Sequence, residues 1–261
     1  MNAYVTCISN LNDDGFLRGV LVLHKSLMLT NPKYPFYCLV SDVVPSDAIA
    51  KLEAHGINVI IKPQIDVSAY TGRKNDDYDS RFFKLKIFEL DEFEKIVFLD
   101  ADMLIMKNID DLFDYEPISV CKDDYQFTGL KNIDNPGCNS GLMVISPDQD
   151  MYNKCVQYIP EAIKNGSHGD DQKIISHFLD NPTWLSPAYN MTSVMMDTAC
   201  YREHYFNLKY KDIRIFHYTW TWKPFMYEHF PIKRFINILY KRRFCELKSL
   251  IYYYKIMKQV I

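Results

Sequence analysis

The seven cysteines (Cys7, Cys38, Cys121, Cys138, Cys155, Cys200 and Cys245) form no Cys-x-x-Cys pair. That scatter argues against a zinc site and against a disulfide framework. It reads instead as small reduced core residues in a cytosol-like compartment. No stretch approaches the apolar length of a membrane span. Met1-Asn2-Ala3-Tyr4-Val5 enters a strand pattern at once, without a charged n-region or a long apolar h-region, so no secretory signal is expected. Repeats and low-complexity tracts are missing. Glycine is scarce, nine in 261 residues, and no stretch is rich enough in Gly, Pro or Ser to act as an interdomain linker.

What is present is an ordinary globular balance, 48% hydrophobic and 24% charged, with the charge unevenly placed. Residues 232–261 hold eight Lys and Arg against Glu246 alone, a net +7, which leaves the remainder at −10. Three readings of this basic tail stand. It forms helices packed on the body with their cations in solvent. It lies on a membrane surface, basic heads around Tyr, Phe and Ile suiting an anionic interface. It binds nucleic acid, which the acidic body disfavours by repelling a polyanion. Leu247, Leu250, Ile251, Tyr254, Met257 and Ile261 fall on one helical face.

The first third reads βαβαβ. Strands at Tyr4–Ser9, Phe36–Val40 and Asn58–Ile61 alternate with helices at Phe16–Leu29 and Ser46–His55, the second capped by Ser46-Asp47 and stopped at Gly56. A parallel sheet flanked by helices follows. Asp66 to Asp79 is polar and reads as a loop. Further on, Arg81–Leu90 reads as a helix, and Ile96–Leu99, Met103–Met106, Ile118–Cys121, Gly141–Ile145 and Ile213–His217 read as strands. Helices are expected at Asp148–Asn165 and Asp171–Leu179.

The chemistry gathers at strand ends. Val97-Phe98-Leu99-Asp100-Ala101-Asp102 places two carboxylates where a buried strand leaves the sheet, and ligands of open α/β sheets bind there. Such a pair can hold a divalent cation whose other positions are filled by substrate phosphates. Alone, Asp-x-Asp is more often a turn than a metal site. Here Asn139-Ser140-Gly141 precedes a strand, Asp170-Asp171-Gln172 opens a helix, Tyr189-Asn190 follows a short strand, His217 ends one, and Lys223-Pro224 lies six residues on. In this order the motifs resemble glycosyltransferase family 8, the group containing glycogenin and bacterial lipooligosaccharide galactosyltransferases.

The resemblance implies a GT-A fold: one Rossmann-like catalytic domain over 1–231, its mixed, mostly parallel sheet flanked by helices, with 232–261 as a basic helical extension. It implies a retaining, metal-dependent hexosyltransferase moving glucose or galactose from a UDP-sugar to a hydroxyl acceptor. That acceptor is a glycan, a protein, a lipid-linked sugar or a polyol. Asp100, Asp102 and His217 match the metal ligands, for Mn²⁺ with Mg²⁺ as a substitute, and Lys223 matches the lysine on the leaving phosphates. Asp171, Gln172 and Lys84 match residues beside the donor sugar. Asp171 is the nucleophile if a covalent intermediate forms. Asn139, Ser140 and Asn190 match sugar or acceptor contacts. Asn10, Phe16, Ala101 and Trp220 fall at nucleotide positions, Phe16 as a stacking ring.

Three departures from the family pattern stand out. Trp220 occupies a position usually Gly, which restricts the backbone beside the diphosphate. Phe225 stands where Trp is usual. Asp197 stands where glycogenin carries its self-glucosylated tyrosine, with Tyr201 nearby out of register. Rival readings are a UDP-sugar or glycan-binding scaffold without turnover, and a haloacid dehalogenase-type phosphohydrolase. The phosphohydrolase is weakened by Leu104 at a position that family fills with Thr or Val. The expected location is cytoplasmic, with peripheral membrane contact if the second tail reading holds. No nucleic-acid partner is expected, and the oligomeric state is open between monomer and homodimer.

Overall fold

The computed structural model describes residues 1–11, 15–68, 82–123, 137–165, 171–193, 195, 207–219, 223–229, 231–240 and 244–261. The first third is β1 (Asn2–Ile8), α1 (Gly15–Met28), β2 (Phe36–Ser41), α2 (Ser46–Ala54) and β3 (Asn58–Lys62). The middle holds β4 (Lys95–Leu99), β5 (Met103–Ile105), β6 (Ser119–Lys122), β7 (Cys138–Ile145), α3 (Gln149–Lys164) and α4 (Asp171–Phe178). Three short strands follow, β8 (Thr183–Trp184), β9 (Met191–Thr192) and β10 (Ile215–His217), then helices α5 (Ile232–Tyr240) and α6 (Phe244–Val260).

A seven-stranded sheet runs β3-β2-β1-β4-β7-β6-β8. It is parallel from β3 to β4 and turns antiparallel where β7 enters between β4 and β6. The strands alternate between two cores, as a period of two requires. Tyr4, Ile8, Val97, Leu99 and Val144 face α1 and α6, while Ala3, Val5, Ile96, Phe98 and Met143 face α3, α4 and the turn at residues 83–89. A second sheet, β5-β10-β9, pairs His217 with Met103 on one side and Thr192 on the other. That register sets the end of β10 beside the Asp100-Ala101-Asp102 turn between β4 and β5.

Several sequence expectations shift. Within the expected Arg81–Leu90 helix, Phe83–Glu89 forms a 3-10 turn whose Phe83, Leu85, Ile87 and Phe88 are all buried. The tighter turn buries its apolar residues while leaving Lys84 and Lys86 paired with acids. Ser46 does not cap α2. The cap is Pro45, with no side-chain bond, and Ser46 is the first helical residue. Asn139 and Ser140 lie inside β7, which begins at Cys138, rather than in a turn before it.

The tail face is also rotated from expectation. Leu250, Tyr254 and Met257 are buried, but Ile251 and Ile261 are exposed, and Tyr253, Ile256 and Val260 are buried in their place. The cause is packing of α6 against α1, with the Tyr253 ring edge-on to Tyr218 at 5.4 Å. Leu250, Ile256 and Met257 each contribute about 1.5–3 kcal/mol on burial, so α6 is firmly held. Cys38, Cys121, Cys138 and Cys155 are buried free thiols. Among the described residues no helix is long and apolar enough to cross a membrane.

Candidate active site

A cavity of about 370 Å³ opens at the ends of β1 and β4. Ser9, Asn10, Phe16, Lys84, Asp100, Ala101, Asp102, Asp171 and Lys223 line it. These groups come from the ends of β1 and β4, from α1 and α4, from the 3-10 turn and from the segment before Pro224. Strand β4 ends at Leu99, and the Asp100 N–H donates to the Gly141 carbonyl of β7 at 2.9 Å. The Tyr218 N–H donates to the Asp102 carbonyl at 3.0 Å, locking the turn to β10. Helix α1 presses on the same turn through Gly19: a Cβ there would lie 2.7 Å from the Ala101 oxygen and 2.8 Å from the Phe225 ring. Overpacking explains why this helix position is glycine.

Asp100, Asp102 and His217 offer ligand atoms that all lie within 4.8 Å of one another. The hydrogen bonds behind them fix the tautomer of the histidine. The Gly141 N–H can only donate, so the atom it meets at 3.1 Å is the Asn139 carbonyl oxygen. That oxygen accepts from Asn190 Nδ2 at 2.9 Å, so the other Asn190 atom is an oxygen, and it accepts from His217 Nδ1 at 2.9 Å. His217 therefore carries a proton on Nδ1 and turns Nε2 to the acids. That nitrogen lies 3.1 Å from Asp102 Oδ1 and 3.9 Å from Asp100 Oδ2. Two carboxylates with an imidazole oriented through its other nitrogen fit a divalent metal.

Two lysines complete the cluster. Lys223 pairs with Asp102. Lys84 Nζ lies 2.9 Å from Asp100 Oδ1, 3.0 Å from Asp171 Oδ2 and 3.3 Å from Ser140 Oγ. Burial alone would lower the Lys84 pKa, but Asp100 and Asp171 overcome it and the pKa is raised. Burial likewise pushes Asp102 up, yet Lys223 and His217 hold its carboxyl well below the ordinary range. Three carboxylates against two ammoniums leave the cluster one negative charge in excess, which favours a cation. Lys86, the competing lysine, pairs with Glu89 at 2.8 Å instead.

Asp171 opens α4. Its carboxylate accepts from Ser140 Oγ at 3.2 Å, while Gln172 accepts from the Ser140 N–H at 3.2 Å and donates to Asp123 at 3.0 Å. Asp123 is a residue that the sequence reading missed. It follows β6 directly, so the strand-end rule that found Asp100 could have found it. Arg18, also missed, holds the Phe225 carbonyl at 2.8 Å, with no sequence signal to mark it. Phe16 is half exposed and lies 5.1 Å from the Phe225 ring. Asn139, Ser140 and Asn190, expected at the sugar or acceptor, are buried and bonded within the protein. In this structure the two asparagines orient His217. Trp220, Asp197 and Tyr201 lie outside the described residues.

A family model described as Glycosyl transferase family 8 matches residues 7–228. The chain belongs to this family. Glycogenin-1 of Mus musculus is 30% identical over 247 residues, 90% of this chain and 68% of that protein. Glycogenin-1 of Caenorhabditis elegans is 30% identical over 85% of the chain, and Inositol phosphorylceramide glucuronosyltransferase 1 of Arabidopsis thaliana 32% over 69%. The family 8 chain spans half the length of the nematode protein and 30% of the plant one. The solved galactosyltransferase LgtC, in complex with donor and acceptor sugar analogs, matches with a TM-score of 0.68 at 17% identity, over 99% of this chain and 96% of that one. GlyE of Streptococcus pneumoniae TIGR4 matches with a TM-score of 0.64 at 19% identity, over 99% and 63%. The fold is GT-A, as the motifs implied.

The orienting residues carry two expected results. In Gly141→Ala the new Cβ would lie 2.4 Å from His217 Cε1 and 3.0 Å from Asp100 Oδ2. The ring must move, so urea unfolding should show a loss of about 1–3 kcal/mol. Calorimetric Mn²⁺ affinity should fall with it. Asn190→Ala removes the acceptor for His217 Nδ1 and should weaken Mn²⁺ binding by about 10–100-fold. An unchanged affinity would deny Asn190 its orienting role.

Proposed function

We propose that this chain transfers a hexosyl group, glucose or galactose, from a UDP-sugar to a hydroxyl acceptor with retention of configuration. The observation that carries the reading is the Asp100–Asp102–His217 cluster set between Lys84 and Lys223 under one cavity. A divalent cation held there, Mn²⁺ by preference, would stabilise negative charge on the departing diphosphate. Lys223 adds a second positive charge for the leaving UDP. Asp102 keeps Lys223 in place until the phosphates arrive. Asn10 and Phe16, which line the same cavity, suit the nucleotide, the half-exposed Phe16 ring offering a face to the base.

Lys84 and Ser140 both bond Asp171 Oδ2 and hold the carboxylate in place. From there it serves either as the nucleophile of a double displacement or as the charge that steadies a same-face ion pair. The acceptor hydroxyl comes from a glycan, a protein, a lipid-linked sugar or a polyol. The name of the plant relative gives inositol phosphorylceramide as its acceptor, which supports the lipid-linked class here.

The test is UDP release from a panel of UDP-sugars, with and without Mn²⁺. Release from one or two donors, dependent on Mn²⁺, establishes the activity and narrows the sugar. Nucleotide binding with no release from any donor would identify a scaffold that lacks turnover.

A further inference from the structure

A second cavity, of about 220 Å³, borders the metal cluster at the β6–β8 edge of the sheet. Trp184, Leu185, Pro187 and Met195 give it apolar walls, and Lys122 and Asn190 bring polar groups to its lining. Asn190 joins it to the site, since the same side chain accepts from His217 Nδ1 and donates to Asn139. So does Asp123, the residue after Lys122, which accepts from Gln172 beside Asp171. None of its lining residues is shared with the donor cavity. A space of this size takes one sugar ring rather than a whole nucleotide sugar.

The register of this edge presents a ring and a cation together. Trp184 pairs with Val120 in parallel, and the Leu185 N–H donates to the Val120 carbonyl at 2.8 Å. Lys122 stands two residues past Val120, a diagonal neighbour within reach of a long side chain. Its Nζ lies 5.5 Å from the centroid of the Trp184 ring, which is 37% exposed. Among the described residues no carboxylate pairs with Lys122, whereas Lys84, Lys86 and Lys223 all meet acids. An ammonium resting on an exposed indole is weakly held and exchanges readily for a charge-assisted hydrogen bond to an anion. The indole then takes the apolar C–H face of a sugar, whose hydroxyls stay in water.

We infer that this cavity is the acceptor subsite for a sugar ring that carries an anion, a carboxylate or a phosphate. Trp184 is the platform and Lys122 the group that reads the charge. A neutral apolar ligand would leave the Lys122 ammonium unused, and inorganic phosphate would leave the Trp184, Leu185, Pro187 and Met195 walls unused. The place of the cavity beside Asn190 and Asp123 sets the bound ring next to the groups assigned to the donor sugar, where an acceptor hydroxyl must arrive. That the ring is an acceptor rests on the proposed transferase reading; that it binds here does not.

The test is titration by saturation-transfer NMR on the full chain with UDP and Mg²⁺ present. The probes are methyl β-glucuronide, glucose-6-phosphate and the neutral methyl β-glucoside. The charged probes should bind about tenfold or more tighter than the neutral one. Lys122→Gln should remove that preference, and Trp184→Ala should abolish binding of all three. A preference for the glucuronide alone identifies a carboxylate as the anion read, and a preference for the phosphate alone identifies a phosphate. Thermal melting and UDP affinity should match wild type in both variants, because Trp184 sits on a two-residue edge strand and Lys122 is exposed. Equal affinity for charged and neutral probes overturns the inference, as does a charge preference that survives Lys122→Gln or binding that survives Trp184→Ala. Absent probe binding also overturns it, and UDP release by that same protein leaves the transferase reading standing. Trp184-dependent binding with no UDP release from any donor would sink the transferase reading and leave a site for anionic sugars.

Discussion

Asp102→Asn is expected to lower Mn²⁺-dependent UDP release by about a thousandfold or more, a loss in kcat rather than in KM. The residue is 7% exposed and is met from two directions, by Lys223 at one oxygen and by His217 Nε2 at the other. The amide keeps the shape but loses the charge that binds a cation and restrains Lys223. A buried pair that loses one partner costs about 3–5 kcal/mol, so the variant should also be less stable at neutral pH. The pH dependence follows from the sign of the shift. Burial raises the Asp102 pKa, but Lys223 and His217 outweigh it and the folded value lies below the unfolded value of about 3.9. Such a group contributes stability that is fully present above about pH 4 and is lost as pH falls through its folded pKa. Urea unfolding should show a constant gap between wild type and Asp102→Asn from pH 5 to 7, closing below pH 4. A gap that widened in acid would contradict the assignment.

The sequence made the metal cluster legible because its parts obey simple positional rules. Asp100 and Asp102 follow a wholly apolar strand, and His217 ends another, so both fall at sheet edges whatever the surrounding detail. Their convergence depends on the β10–β5 register, which no local pattern encodes. Asn139 and Asn190 show the limit. A polar residue near a site reads as a substrate contact, but its bonds within the protein are not legible: the Asn139 oxygen accepts from Gly141 and Asn190, and the Asn190 oxygen accepts from His217. That use is set by cross-strand distances and is invisible in one dimension. The tail failed for a related reason. Helical periodicity in α6 predicted a single stripe, but docking on α1 buries Tyr253 and Ile256 as well and leaves Ile251 in solvent.

Lys84→Met is expected to lower kcat by about a hundredfold or more. Lys84 is the one described cation between Asp100 and Asp171, at 2.9 and 3.0 Å. Methionine fills similar volume without charge, so two carboxylates then face each other across an apolar side chain. Like charges at that range repel, so the Asp171 carboxylate loses the contact that positions it. Lys84→Arg keeps the charge but brings a planar fork into a site shaped for a point charge, so recovery should be partial. Lys86→Met is the control. Lys86 sits two residues along the same turn, but its partner is Glu89 and its aromatic neighbour is Tyr152, both away from the cavity. Lys86 is 8% exposed, so its loss should cost about 1–3 kcal/mol of stability but leave kcat unchanged. Equal losses in the two variants would mean that the turn as a whole, and not the Lys84 ammonium, supports the reaction.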